Sequence, residues 1–218
     1  MPGKPSTRLL LCGLLLAVVA GVAVAAVCQH RQRAARQESG ERAAALPVLG
    51  RVPAFTLTNR DGRVVRPADL SGAPWIADFV FTRCVSSCPL LSARLARLDR
   101  ALPPAPGIRL VSFSVDPAHD TPAVLERYAH ALSASRRWLF LTGRQEAEEQ
   151  IRRLSLGFKL ALEPGAETEA ILHSTRFVLV DAAGEIRGTY QALDPEALRR
   201  LEADARALGI QSRHAPHP

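Results

Sequence analysis

The chain has 218 residues, with 28 lysines and arginines against 21 aspartates and glutamates, 47% hydrophobic residues and 5% aromatics. That apolar content and a charged fraction of only 22% exclude wholesale disorder and fit one globular domain plus an appendage. Four cysteines are too few for a disulfide scaffold; of the net charge of +7, residues 1–50 contribute six basic and two acidic side chains, so the remainder holds no basic stripe suited to nucleic acid.

Residues 1–8 carry Lys4 and Arg8, and Leu9 to Val27 is a run of nineteen residues without a charge. Such a run is long enough to cross a bilayer, and it is expected to be a transmembrane anchor over residues 9–27, with residues 1–8 cytoplasmic. Ala23-Val24-Ala25 keeps a cleaved signal peptide open as the competing reading. Both readings export the rest of the chain, whereas the basic flank His30, Arg31, Arg33 and Arg36 favours the cytoplasm. Cys28 follows Val27, where a lipid-attachment motif wants a small residue, so Cys12 and Cys28 read as passive apolar residues. Residues 28–46 are rich in Arg, Gln, Ala and Glu, show no packing stripe, and read as a linker.

From Pro47 the pattern becomes that of an alternating α/β domain, expected over residues 47–209 and followed by a flexible tail at 210–218. Phe55 to Leu57 and Val64-Val65 flank Asn59-Arg60-Asp61-Gly62, which predicts an N-terminal β-hairpin. Trp75 to Phe81 is apolar except for Asp78 and reads as a strand buried on both faces. Leu91, Leu95, Leu98 and Leu102 recur at helical spacing over residues 89–102. A strand at Ile108 to Val115 follows, then a helix capped by Thr121 with Pro122 at its first position. Next come a strand at Trp138 to Leu141, a helix from about Glu146 to Leu156, a hairpin of Phe177 to Val180 with Glu185 to Tyr190, and an amphipathic helix from Pro195 to Leu208. This order is that of a thioredoxin-like fold with an N-terminal hairpin extension.

No Gly-rich phosphate loop is present, and the chemistry concentrates at Cys84-Val85-Ser86-Ser87-Cys88-Pro89, between a buried strand and a helix. Unpaired N–H groups at such a junction stabilise thiolates, so both cysteines are expected to have lowered pKa values. If the three intervening residues curl into a helical turn, positions i and i+4 share a face, and the sulfurs can form a Cys84–Cys88 disulfide or grip one metal ion. Two unreactive buried thiols are the plain alternative. Among the histidines, His30 lies in the membrane flank, His130 in a helix, and His214 and His217 in the tail. His173, just before a strand, can be carried to the cysteine end of the sheet or stand as a surface residue. Two thiolates and an imidazole would suit copper, as Cu(I) or Cu(II), whereas zinc usually wants a fourth ligand in a closed site.

Phe79-Val80-Phe81-Thr82-Arg83-Cys84 through Cys88-Pro89, then Val111-Ser112-Phe113-Ser114-Val115-Asp116-Pro117-Ala118-His119-Asp120-Thr121-Pro122, and finally His173-Ser174 before Phe177-Val178-Leu179-Val180-Asp181, together resemble the Sco/SenC family. The match runs from about Val52 to Leu208 in order and spacing. The resemblance implies a membrane-anchored, thioredoxin-like copper metallochaperone that assists assembly of the dinuclear copper (CuA) centre of cytochrome c oxidase, with Cys84, Cys88 and His173 as copper ligands. It implies the copper-bearing oxidase subunit as partner, an upstream copper donor or thiol reductant, and a location in the inner (cytoplasmic) membrane with the domain on the exported, periplasmic-type side. Where the family often has Pro and Asp after the first cysteine, this chain has Val85 and Ser86.

Asp78 reads either as a buried carboxylate that tunes the cysteine pair or shuttles a proton, or as one paired with an arginine or a backbone donor. Asp116, Asp120 and Thr121 are expected to shape a loop and cap a helix, His119 to lie at the surface, and Trp138 and Phe140 to belong to the core. Two functions remain open: a metallochaperone, and a thiol-disulfide oxidoreductase in which Cys84 and Cys88 reduce the cysteine ligands of the oxidase subunit.

Overall fold

The computed structural model describes residues 7–84, 88–102, 107–143, 147–160 and 175–212, with side chains from Val19 onward except at 147–148 and 159–160. Helix α1 spans Thr7–Ala45. Where composition suggested a linker, the chain is thus helical to Ala45. The end of α1 docks on the domain: Ala43 is wholly buried, and Arg42 Nε donates to Asp204 at 2.5 Å. Arg187 donates to the carbonyls of Ala43 and Leu46 at 3.2 and 2.7 Å, closing helix C-terminal groups that have no partner inside the helix. Among the described residues no helix is long and apolar enough to cross a membrane, and the span expected over residues 9–27 lies partly beyond the described side chains.

The domain is one eight-stranded mixed sheet in the order β1-β8-β7-β4-β5-β6-β2-β3. Its strands are β1 (Gly50–Arg51), β2 (Leu57–Asn59), β3 (Val64–Val65), β4 (Trp75–Val80), β5 (Arg109–Ser114), β6 (Trp138–Thr142), β7 (Arg176–Val180) and β8 (Glu185–Gln191). Its helices are α2 (Cys88–Ala101), α3 (Pro122–Ala131), α4 (Ala147–Leu160) and α5 (Pro195–Ser212), with a 3₁₀ turn at Pro67–Leu70. β4, β5 and β6 are parallel, β7 runs antiparallel to β4, and β8 runs antiparallel to β7. The thioredoxin-like core expected from the sequence is present, and the hairpin β2–β3 joins it along the β6 edge. Gly62 and Gly184, with φ of 77° and 81°, close the β2–β3 and β7–β8 turns in the left-handed conformation that glycine adopts without strain.

Alternation along the central strands divides the core into two layers. Ile76, Leu110, Trp138, Phe140 and Leu179 face α2, α3 and α5, where Leu91, Leu95, Leu125 and Leu201 are buried. Trp75, Ala77, Val111, Phe113, Leu141 and Val180 face α4, which contributes Ile151, Leu154 and Phe158. Each such side chain removed from water contributes on the order of 2 kcal/mol, so this double burial fixes the register of β4 and β5. Two helices extend beyond the ends that the sequence pattern predicts. α4 runs on to Leu160 and α5 to Ser212, so the start of the expected tail is helical, and residues 213–218 lie outside the described residues.

Candidate dithiol site

The register that buries Trp75 and Ala77 against α4 sends Asp78 to the opposite face, beside Ser112 of β5. Ser112 and Ser114 occupy alternate positions of β5 and so share that face. Ser112 Oγ donates to Asp78 Oδ1 at 2.5 Å and accepts from Trp138 Nε1 at 2.8 Å. Asp78 Oδ2, by contrast, is buried without a hydrogen-bond partner among the described residues. Burial pushes the Asp78 carboxyl up to about 7, against the lowering effect of the Ser112 bond.

Beyond Val80 the chain turns back: Cys84 N–H donates to Phe81 O at 3.2 Å. Helix α2 then starts at Cys88. Cys84 is half-buried, Cys88 is 6% exposed, and the two are not joined in a disulfide. They interact side chain to side chain, with Cys88 also in a backbone hydrogen bond with Phe81. The expected helix-start effect on acidity is overturned at Cys88, where burial, then the neighbouring Cys84, push the thiol up to about 12, with the Asp78 charge adding to the rise. About half a unit charge at a helix start cannot offset loss of hydration beside a second thiol and a carboxylate. Cys88 is therefore held as a protonated thiol, and a soft cation bound there has to displace that proton and compensate the thiolate charge that burial disfavours.

The loop before the cysteines is held from the β5–α3 turn. Asp120 is fully buried and accepts from Thr82 Oγ1 at 2.6 Å, Thr82 N–H at 3.2 Å and Ser114 Oγ at 2.6 Å. Arg83 donates through Nη2 to Asp116 Oδ2 at 2.6 Å on the surface. Thr121 caps α3 by accepting from Val124 N–H, with Pro122 at the first helical position, so the loop-shaping roles expected of Asp116, Asp120 and Thr121 hold. His119 is exposed on this turn, and Trp138 and Phe140 are core residues stacked at 4.9 Å.

On the helix side of the dithiol, Ser92 Oγ and Tyr128 Oη are 2.7 Å apart, and burial raises the Tyr128 phenol to about 12. The charges of Asp78, Cys88 and Cys84 add to that rise, so one buried polar cluster reaches from β4 through the thiols to α3. The sequence gives no separate signal for Ser92 or Tyr128. The serine alternation of Val111-Ser112-Phe113-Ser114 was a legible one, because polar residues at every second position of a core strand must find partners on one face. His173 lies outside the described residues. Among the described residues no group of three His, Cys, Asp or Glu side chains converges as a metal site.

A mixed sheet with a pair of cysteines where its first parallel strand meets a helix defines a thioredoxin-like dithiol protein. The sequence profile of SCO1/SenC matches residues 49–205, and the chain belongs to that family. It is 33% identical over 151 residues to the SCO1 protein homolog of Bacillus subtilis, covering 68% of this chain and 77% of that protein. A candidate copper-binding protein of Stutzerimonas stutzeri is 32% identical over 162 residues, covering 72% and 77%. The solved structure of BsSco, described as a member of the Sco family of cytochrome c oxidase assembly proteins with a disulfide switch, superposes with a TM-score of 0.63 at 31% identity, covering 75% of this chain and 95% of that one.

Proposed function

We propose that this protein binds copper through Cys84, Cys88 and His173 and delivers it to the dinuclear copper centre of cytochrome c oxidase, as a metallochaperone anchored in the inner membrane by residues 9–27 with its domain on the exported side. The observation that carries this reading is the side-chain contact between half-buried Cys84 and buried Cys88, not joined in a disulfide, at one strand–helix junction. Two soft donors so placed favour Cu(I), and an imidazole would complete three-coordination and help to hold Cu(II). Family membership and the copper-binding relative support copper as the cargo. The half-buried Cys84 leaves one sulfur accessible for ligand exchange with an acceptor's thiols. The copper-bearing oxidase subunit is the proposed acceptor and an upstream copper donor the proposed source.

The test is an anaerobic Cu(I) titration of the reduced full chain in detergent against a competing chelator, repeated with His173→Ala. Stoichiometric binding weakened by about tenfold or more in the variant is the expected result. A second reading, a thiol-disulfide oxidoreductase that reduces the acceptor's cysteine ligands, is favoured by the same thiol contact and by the disulfide switch described for BsSco. Copper binding that ignores His173, together with a reversible Cys84–Cys88 disulfide, would favour that reading instead.

A further inference from the structure

Asp120 stands 36 positions after Cys84 in the sequence and is wholly buried, and among the described residues its carboxyl oxygens meet hydroxyl and backbone donors and no salt-bridge partner. A buried charge without a counter-ion persists only where fixed donors surround it. Here the donors are Thr82 N–H, Thr82 Oγ1 and Ser114 Oγ, so two of three belong to the residue two places before Cys84. Ser114 Oγ accepts from Asp116 N–H at 3.1 Å, and Asp120 N–H donates to Asp116 O at 2.8 Å. The carboxylate is thereby fixed on the turn that leads into α3. On the other side, Thr82 follows Phe81, whose backbone bonds to both cysteines.

Resting on the reading of Cys84 and Cys88 as the working dithiol, we propose that Asp120 is a positioning residue: it clamps Thr82 and so sets the separation and orientation of the two sulfurs. Without the clamp, the described side-chain link that still ties residues 81–84 to the β5–α3 turn is the exposed Arg83–Asp116 pair, and such surface pairs contribute little. Thr82 N–H would be left unpaired, and residues 81–84 would relax toward geometries that hold a metal or close a disulfide less well.

The geometry also identifies the substitution that should rescue. Asp120 Oδ2 accepts from both Ser114 Oγ and Thr82 N–H, while Oδ1 takes the Thr82 hydroxyl at 2.6 Å and a longer contact from the same Thr82 N–H at 3.4 Å. In Asp120→Asn the amide oxygen can keep the first two bonds, and the amide nitrogen can donate to Thr82 Oγ1, which accepts after rotating its proton away. Asp120→Ala can do neither. Ser114→Ala provides the control, because it removes one bond to Asp120 but none to the loop.

The experiment measures, on the full chain in detergent, the Cu(I) affinity and the Cys84–Cys88 thiol–disulfide equilibrium constant in glutathione buffers. Asp120→Ala is expected to lower the affinity by about tenfold or more. It should also change the equilibrium constant by about tenfold, or some 30 mV for a two-electron couple. Asp120→Asn and Ser114→Ala are each expected to stay within about threefold of the parent on both readouts. Thr82→Val, which deletes only the hydroxyl bond, should shift both constants in the direction of Asp120→Ala and serves if that variant does not fold. The proposal is overturned if Asp120→Ala and Thr82→Val lower the melting temperature while leaving both constants within about twofold. It is equally overturned if Ser114→Ala shifts them as far, or if Asn does not restore them. The disulfide readout needs no copper, so a parent protein that fails to bind copper would remove the proposed function and still decide the role of Asp120.

Discussion

Two carboxylates are buried to similar depth at opposite ends of the domain, and the fold treats them differently. Asp99, near the end of α2, accepts from Ser135 N–H, Ser135 Oγ and Arg137 Nε at 2.8–2.9 Å. Arg137 in turn donates to the backbone carbonyls of Asp99 and Leu102. Asp78, 2% exposed, has among the described residues one serine hydroxyl on Oδ1, no hydrogen-bonded cation, and an Oδ2 without a hydrogen-bond partner. The first is a structural device, in which charge and donors are balanced. The second leaves an unbalanced carboxylate in the cluster that contains the two thiols, the kind of imbalance that folds retain at working sites rather than in scaffolding.

Removing the cation beside the first and the charge of the second tests that contrast. Arg137→Ala strands the Asp99 charge and is expected to cost about 3–5 kcal/mol in urea unfolding, because an uncompensated buried ion loses more than the pair gains. Asp78→Asn should act in the opposite sense at neutral pH. The Asp78 carboxyl is raised from 3.8 to about 7 in the folded protein, so the folded state keeps a proton that the unfolded chain has already lost. Its stabilising contribution is complete below pH 3.8 and is lost as the pH rises through 7. Neutralising it should flatten the fall in stability between pH 4 and pH 7, by on the order of 3 kcal/mol, which denaturant titrations across that window would measure. An Arg137→Ala variant as stable as the parent, or an Asp78→Asn variant with an unchanged pH profile, would break the comparison.

The same contrast separates what could be read from the sequence from what could not. Strands β4, β5, β6, β7 and β8 and helices α2, α3 and α5 were legible because continuous apolar runs and leucines at helical spacing both reflect burial in this two-sided core. Two-residue β1 was not, since Gly50 and Arg51 carry no strand signal and pair with β8 only because the docked end of α1 delivers them there. Residues 28–45 were misread for a related reason: a helix that packs by its last turns, through Arg42, Ala43 and Arg187, needs no apolar stripe along its length. The positions of Cys84 and Cys88 followed from strand and helix boundaries, but the raised pKa of Cys88 depends on its burial and on the neighbouring Cys84 and Asp78, which spacing does not encode. Asp120 was legible as a loop former; that its loop is the one entering Cys84 required the 38-residue link to Thr82.

The central claim is that the two thiols and one imidazole form a single copper site. X-ray absorption at the copper edge of the Cu(I)-loaded full chain reads the donor set directly. The account predicts two sulfur scatterers and one nitrogen scatterer, at about 2.2–2.3 Å and 2.0 Å respectively, with the nitrogen lost in His173→Ala. A first shell with fewer than two sulfurs, or a nitrogen that persists when His173 is removed, would contradict it.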